Sequence, residues 1–218
     1  VMVGVPDSNI KTLEASLDFA SSLGVPHISA YMLKIEEGTF YHKNAEKLKL
    51  PDDDETADMY LFMSEYLMEK GYLHYEISNF CLPGLHSRHN SSYWTGKKYL
   101  GCGPSAHSFN GLSRQWNVAS LEAYLNGMSL GKPDYEIEEL DLYTRYNDFV
   151  ITSIRTCRGM SLSHLHTEYG EELYRYCLRM AKSYLEQGLL EKKGDNLKLT
   201  PKGIFISDGI MSDLLWVE

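Results

Sequence analysis

The feature that most constrains this chain is a change of rhythm. Short apolar, β-branched runs alternate with helical periodicity in its first part, and unbroken helical periodicity takes over after Leu140. Val1 to Val5 reads as a strand, Pro6-Asp7-Ser8 as the cap of a helix, and Ile10, Leu13, Leu17 and Ala20 recur at helical spacing up to Gly24. His27 to Leu33 is too short for a typical helix and reads as a buried strand. A second helix is expected from Pro51-Asp52-Asp53-Asp54-Glu55, where acidic groups suit the free N–H groups and the dipole, to Lys70 before Gly71. Tyr72 to Ser78 then reads as a third strand. Strands separated by helices pair in parallel, so the expected class is α/β, either part of a barrel or doubly wound.

The second part reads as a separate, mainly helical domain. Helices are expected over Tyr143 to Thr156, Ser161 to Tyr169 and Glu171 to Gln187. A hairpin comes next, Leu189 to Leu199 turning at Gly194-Asp195, and an amphipathic segment from Gly203 to Leu215 closes the chain. Helices followed by a small hairpin resemble a winged helix. The junction is placed near Lys132-Pro133, giving domains of residues 1–132 and 133–218.

Composition excludes some partners. A net charge of -9 argues against a large phosphate-binding surface, so nucleic acid is not an expected ligand. Arg175, Arg179 and Lys182 share a helical face, but Glu171, Glu172 and Glu186 dilute it, and it reads as solvated. No apolar run is long enough to span a bilayer and the first residues do not read as a signal peptide, which points to a cytoplasmic protein. The four cysteines, Cys81, Cys102, Cys157 and Cys177, are isolated and read as small buried hydrophobes, none of them a metal ligand.

The densest run of chemistry-bearing residues lies between Tyr75 and Ser108. Polar side chains at a strand end and in the adjoining loop sit where barrel enzymes place their sites. His89 is able to ligate a metal or a haem iron through a neutral ring nitrogen, and Tyr93 and Trp94 are able to pack against a large planar ligand. The plainer reading is a hydrogen-bonded loop histidine beside core aromatics. Gly101 and Gly103 flank a turn where a missing Cβ lets a backbone approach a ligand, or simply makes a tight turn. Of the other histidines, His27, His42, His74, His164 and His166 read as structural.

Taken together, the motifs resemble a family: radical S-adenosylmethionine proteins related to oxygen-independent coproporphyrinogen III oxidase. Met2-Val3-Gly4-Val5-Pro6-Asp7, Ile28 to Tyr31 with Glu36-Glu37-Gly38-Thr39, Tyr75 to Phe80 and Leu100 to Ser108 are similar to signatures of its barrel. Ile154 to Gly159 and Leu199 to Asp208 are similar to those of its C-terminal domain. His89-Asn90-Ser91-Ser92-Tyr93-Trp94 resembles the H-N-x-x-Y-W of the family's haem-chaperone branch.

The resemblance implies the C-terminal part of a (β/α) TIM-like radical barrel followed by a helical, winged-helix-like domain. It implies haem as ligand, with His89 as candidate iron contact and Asn90, Tyr93 and Trp94 shaping the pocket. It also implies S-adenosylmethionine against the turn holding Gly101, Gly103, Ser105, Ala106 and His107, and haem-accepting proteins as partners. The family's C-x-x-x-C-x-x-C segment, which holds a four-iron four-sulfur cluster, has no counterpart here. The chain alone is therefore expected to be inactive in radical chemistry, and its truncated sheet edge is expected to favour self-association. The enzymatic alternative is oxidative decarboxylation of coproporphyrinogen III propionates.

Overall fold

A computed structural model describes residues 1–217. The N-terminal part runs β1 (Met2–Val3), α1 (Ile10–Ser22), β2 (His27–Ser29), β3 (Tyr31–Met32), α2 (Phe40–Lys43), α3 (Asp53–Glu69), β4 (Leu73–Glu76) and β5 (Asn79–Cys81). Asn9 caps α1 in a capping box with Thr12, two residues past Asp7. Asp52 caps α3 in the same way with Glu55, so the acidic run is a helix start. Val3, Leu17, Ile28, Met59, Met63 and Phe80 fill the core between these helices and the sheet.

The segment 27–32 is shared between two small sheets. On one side β3 pairs in parallel with β1, Met2 opposite Tyr31, as the β-α-β pattern predicts. On the other side β2 pairs antiparallel with β5, and β5 with β4. The expectation that the strands pair in parallel is thus corrected: among the described residues one pair is parallel, and the strand read over 72–78 is the first arm of a hairpin. Its turn carries no glycine or proline. It is held instead by the Glu76 carboxylate, which accepts from the Ser78 N–H and the Asn79 side-chain amide. Composition-based turn signals miss such a device.

Between the two parts lie α4 (Arg88–Trp94), β6 (His107–Phe109), β7 (Ser113–Asn117), α5 (Leu121–Ser129) and β8 (Tyr135–Glu139). The last strand pairs along its length with β7, from Ser113 opposite Glu139 to Asn117 opposite Tyr135. This antiparallel sheet therefore runs on past the expected junction at 132/133.

The C-terminal part comprises α6 (Leu142–Ile154), β9 (Met160–Ser161), α7 (Leu162–Glu186), β10 (Leu190–Lys193), β11 (Asn196–Leu199), α8 (Pro201–Phe205) and α9 (Ser207–Leu214). Gly170, at φ 84 and ψ 173, breaks α7 at the position where two helices are expected. The β10·β11 hairpin turns at Gly194-Asp195, with Lys193 opposite Asn196, and β9 adds to β11. Tyr146, Val150, Leu165, Leu173, Leu197 and Ile210 form its core. Ile77, from the β4–β5 turn, joins this second core and ties the two parts together.

Two of the four cysteines depart from the expectation of burial. Cys81 and Cys177 are buried, and burial pushes the Cys177 thiol up to about 11. Cys102 and Cys157 are exposed, because each lies in a loop rather than on the inward face of a helix or strand. Among the described residues no helix is long and apolar enough to cross a membrane.

Candidate functional site

Helix α4 holds the H-N-x-x-Y-W residues and contributes to two cavities. Ser87 caps it, its Oγ accepting from the Asn90 N–H at 3.2 Å. One cavity, of about 450 Å3, is bordered by Tyr93, Lys97, Tyr99, Arg114, Asp148 and Tyr169. A larger one, of about 700 Å3, is bordered by Tyr75, Arg88, Ser92, Cys157 and Arg158. Trp94 borders both.

Trp94 is clamped from the C-terminal part. The Arg155 guanidinium lies 3.9 Å from the centre of its ring, and Arg155 donates through Nε and Nη2 to Glu76 Oε2 at 3.2 and 3.1 Å. The Glu76 side chain has no solvent exposure and that of Arg155 has 22%. A buried carboxylate needs both a counter-charge and hydrogen bonds, and here Arg155 supplies the first while Ser78 and Asn79 complete the second. Backbone bonds reinforce the joint: Ile77 N donates to Arg155 O, and Cys157 N to Tyr75 O. Among the described residues the Trp94 indole N–H is buried without a partner. A buried donor in that state costs about 1–3 kcal/mol, so Trp94 offers a hydrogen bond to anything that enters beside it.

His89 has different surroundings. It is exposed, its Nε2 lies 3.2 Å from the Tyr93 hydroxyl, and the two rings meet edge to face at 5.1 Å. Tyr93 in turn meets Tyr99 at 5.0 Å, and Tyr99 meets Phe109 at 6.0 Å. The helix thus brings His89 and Tyr93 together, while Trp94 turns inward. His89 borders neither of the two cavities. The exposed imidazole edge is accessible to a large planar ligand, and the Tyr93 hydroxyl is placed to fix its tautomer.

The 101–107 turn is built largely from within. A Cβ on Gly101 would collide with the His107 carbonyl, and Gly103 needs a φ of +113 that L side chains rarely adopt. Its N–H groups are spent internally: Gly101 on Ser108 Oγ, Gly103 on Tyr124 Oη, Ser105 on Val118 O and Ala106 on Gly103 O. Asn117 donates to the Gly103 carbonyl at 2.9 Å, and His107 stacks on Trp116 at 5.7 Å. Both glycines are thereby accounted for by chain geometry.

Several titratable groups have partners that the sequence does not show. Arg114 pairs with Asp148 at 2.6 Å; burial pushes the Asp148 carboxyl up, against the opposing pull of Arg114. His74 stacks on Phe80 at 4.1 Å, and His27 contacts the Tyr75 hydroxyl at 2.8 Å; burial lowers the pKa of both histidines. These contacts are invisible to spacing because most of the partners lie far along the chain. No group of three or more His, Cys, Asp or Glu among the described residues is arranged to hold a metal ion, so the chain's residues do not fit an iron–sulfur cluster.

An α/β sheet unit followed by a winged-helix-like domain, joined beside a short helix, is an architecture shared with a solved radical enzyme. The coproporphyrinogen III oxidase HemN of Escherichia coli, described as a radical SAM enzyme, matches with a TM-score of 0.75 over 98% of this chain and 53% of that one, at 16% identity. The HemN C-terminal domain model matches residues 140–206. Among curated proteins, heme chaperone HemW of Mycobacterium tuberculosis is 34% identical over 99% of this chain and 54% of its own length. HemW of Bacillus subtilis is 29% identical over 99% and 58%. Residues 140–206 thus match the HemN C-terminal domain, and over nearly its whole length the chain is similar to the heme chaperones HemW. It spans about half the length of the curated relatives it matches.

Proposed function

We propose that this chain is part of a cytoplasmic haem chaperone, binding haem at α4 and passing it to haem-accepting proteins. The observation that carries the reading is the helix itself: His89 and Tyr93 stand together in its exposed part, hydrogen-bonded and bordered by aromatic rings. An exposed imidazole is a suitable axial ligand for haem iron, Tyr93 and Asn90 flank it, and the unpartnered Trp94 N–H lies one residue beyond Tyr93. The relatives named heme chaperone match along nearly the whole chain, which supports the same ligand.

In this reading S-adenosylmethionine would be held beside the 101–107 turn by side chains such as Ser105 and His107, since the N–H groups of Gly101, Gly103, Ser105 and Ala106 already have partners. Among the described residues no group of three or more His, Cys, Asp or Glu supplies the ligands of an iron–sulfur cluster. In this reading the barrel part ends with β8 and the C-terminal domain begins near residue 140, with Arg155 and Glu76 as the joint.

The test is a haem titration of the purified protein against His89→Ala, followed by absorbance. A Soret shift lost in the variant supports both the ligand and the residue. An unchanged shift removes His89 from the site. Conversion of coproporphyrinogen III on adding reductant and S-adenosylmethionine, without haem binding, would favour the oxidase instead.

A further inference from the structure

The larger cavity beside α4 has a charge pattern that the haem reading does not use. Arg88, Lys97 and Arg158 line it, and no carboxylate does, in a chain whose net charge is -9. Among the described residues none of the three cations makes an ion pair; the nearby Arg155 is already neutralised by Glu76. Three unpaired cations around one cavity repel one another, and an anion entering there relieves that repulsion. Hydroxyls of Tyr75, Ser92 and Thr156 stand among them, while Trp94 supplies an aromatic surface. A volume of about 700 Å3 suits an organic molecule larger than a free inorganic anion.

We infer that this cavity binds the carboxylate side chains of a tetrapyrrole, with Arg88, Lys97 and Arg158 as the recognising cations. The identity of the ligand rests on the haem reading; the anion site itself rests on the cavity's charge. Arginine forks match carboxylate geometry in two-point contacts, and all three cations are exposed, so a propionate held by them stays partly hydrated. His89 does not border this cavity, so the metal and the carboxylates are read by separate residues.

Metal-free protoporphyrin IX separates the two, because it carries the propionates and has no iron for His89. Its binding to the protein is followed by fluorescence, beside its dimethyl ester, in which both acids are neutral. The diacid is expected to bind about tenfold or more tightly than the ester. Arg158→Gln and Arg88→Gln should each weaken the diacid about three- to tenfold and leave the ester unchanged. The preference for the diacid should shrink as salt is raised. Circular dichroism confirms that the variants fold, as expected for exposed side chains.

Equal affinity for diacid and ester, or variants that bind the diacid as the parent does, would overturn the carboxylate site. If haem then still gives a Soret shift that depends on His89, the chaperone reading survives alone. Tight, cation-dependent binding of the diacid with no such shift would keep the carboxylate site and remove His89 as ligand. Binding of neither porphyrin nor haem would overturn both.

Discussion

Trp94 and His89 lie five positions apart in one short helix and do opposite work. Trp94 is stacked against Arg155, which is locked to a buried carboxylate at the junction of the two parts. His89 stands in solvent, its Nε2 in contact with the hydroxyl of its helical neighbour Tyr93. The difference teaches that a motif read as one unit contains residues packed into a joint and residues left exposed. Proximity in sequence says little about which is which.

The largest expected effect comes from breaking the clamp. Arg155→Ala leaves Glu76 buried and unpaired, and should cost about 3–5 kcal/mol in urea unfolding. The double variant Arg155→Met with Glu76→Gln should lose less than the sum of its single variants, since neither charge is then stranded. Strict additivity would show that the pair is not coupled. Trp94→Ala comes next, at about 2–3 kcal/mol, through lost packing and the lost cation–π contact.

A smaller effect concerns pH. His74 and His27 are held neutral by burial, with folded pKa values below the ordinary 6.5. Below that value the unfolded chain binds more protons than the folded one, so stability is full above it and falls as pH drops toward the folded values. Urea unfolding at pH 7.5 and 5.5 should show that loss, and His74→Gln should flatten it. A slope unchanged in the variant would mean that His74 does not titrate on unfolding. The smallest effect sharpens the comparison from the other side: His89→Ala should change stability by about 0.5 kcal/mol or less while abolishing the haem spectrum.

How much was legible depended on how far apart the interacting residues lie in the chain. The Gly170 break between two helices, the Gly194-Asp195 hairpin and the acidic start of α3 were all readable, because each depends on neighbours a few positions apart. The β4–β5 hairpin was not, since its turn has no glycine or proline and is held by the Glu76 side chain, which the Ser78 N–H and the Asn79 amide reach. The residues of α4 were all singled out, yet their division between buried and exposed surroundings could not be seen before the two parts were joined.

By itself the sequence determined the class of fold, and it singled out Tyr75 to Ser108 as the candidate site region. Periodicity, caps and turns are local, and they survive in any arrangement of the elements. Tertiary structure alone decided the direction of strand pairing, the internal use of the Gly101 and Gly103 turn, and the cavity lined by Arg88, Lys97 and Arg158. Those features arise from charges and backbones brought together across long sequence distances, where burial sets the energy of an interaction and spacing along the chain carries no record of it.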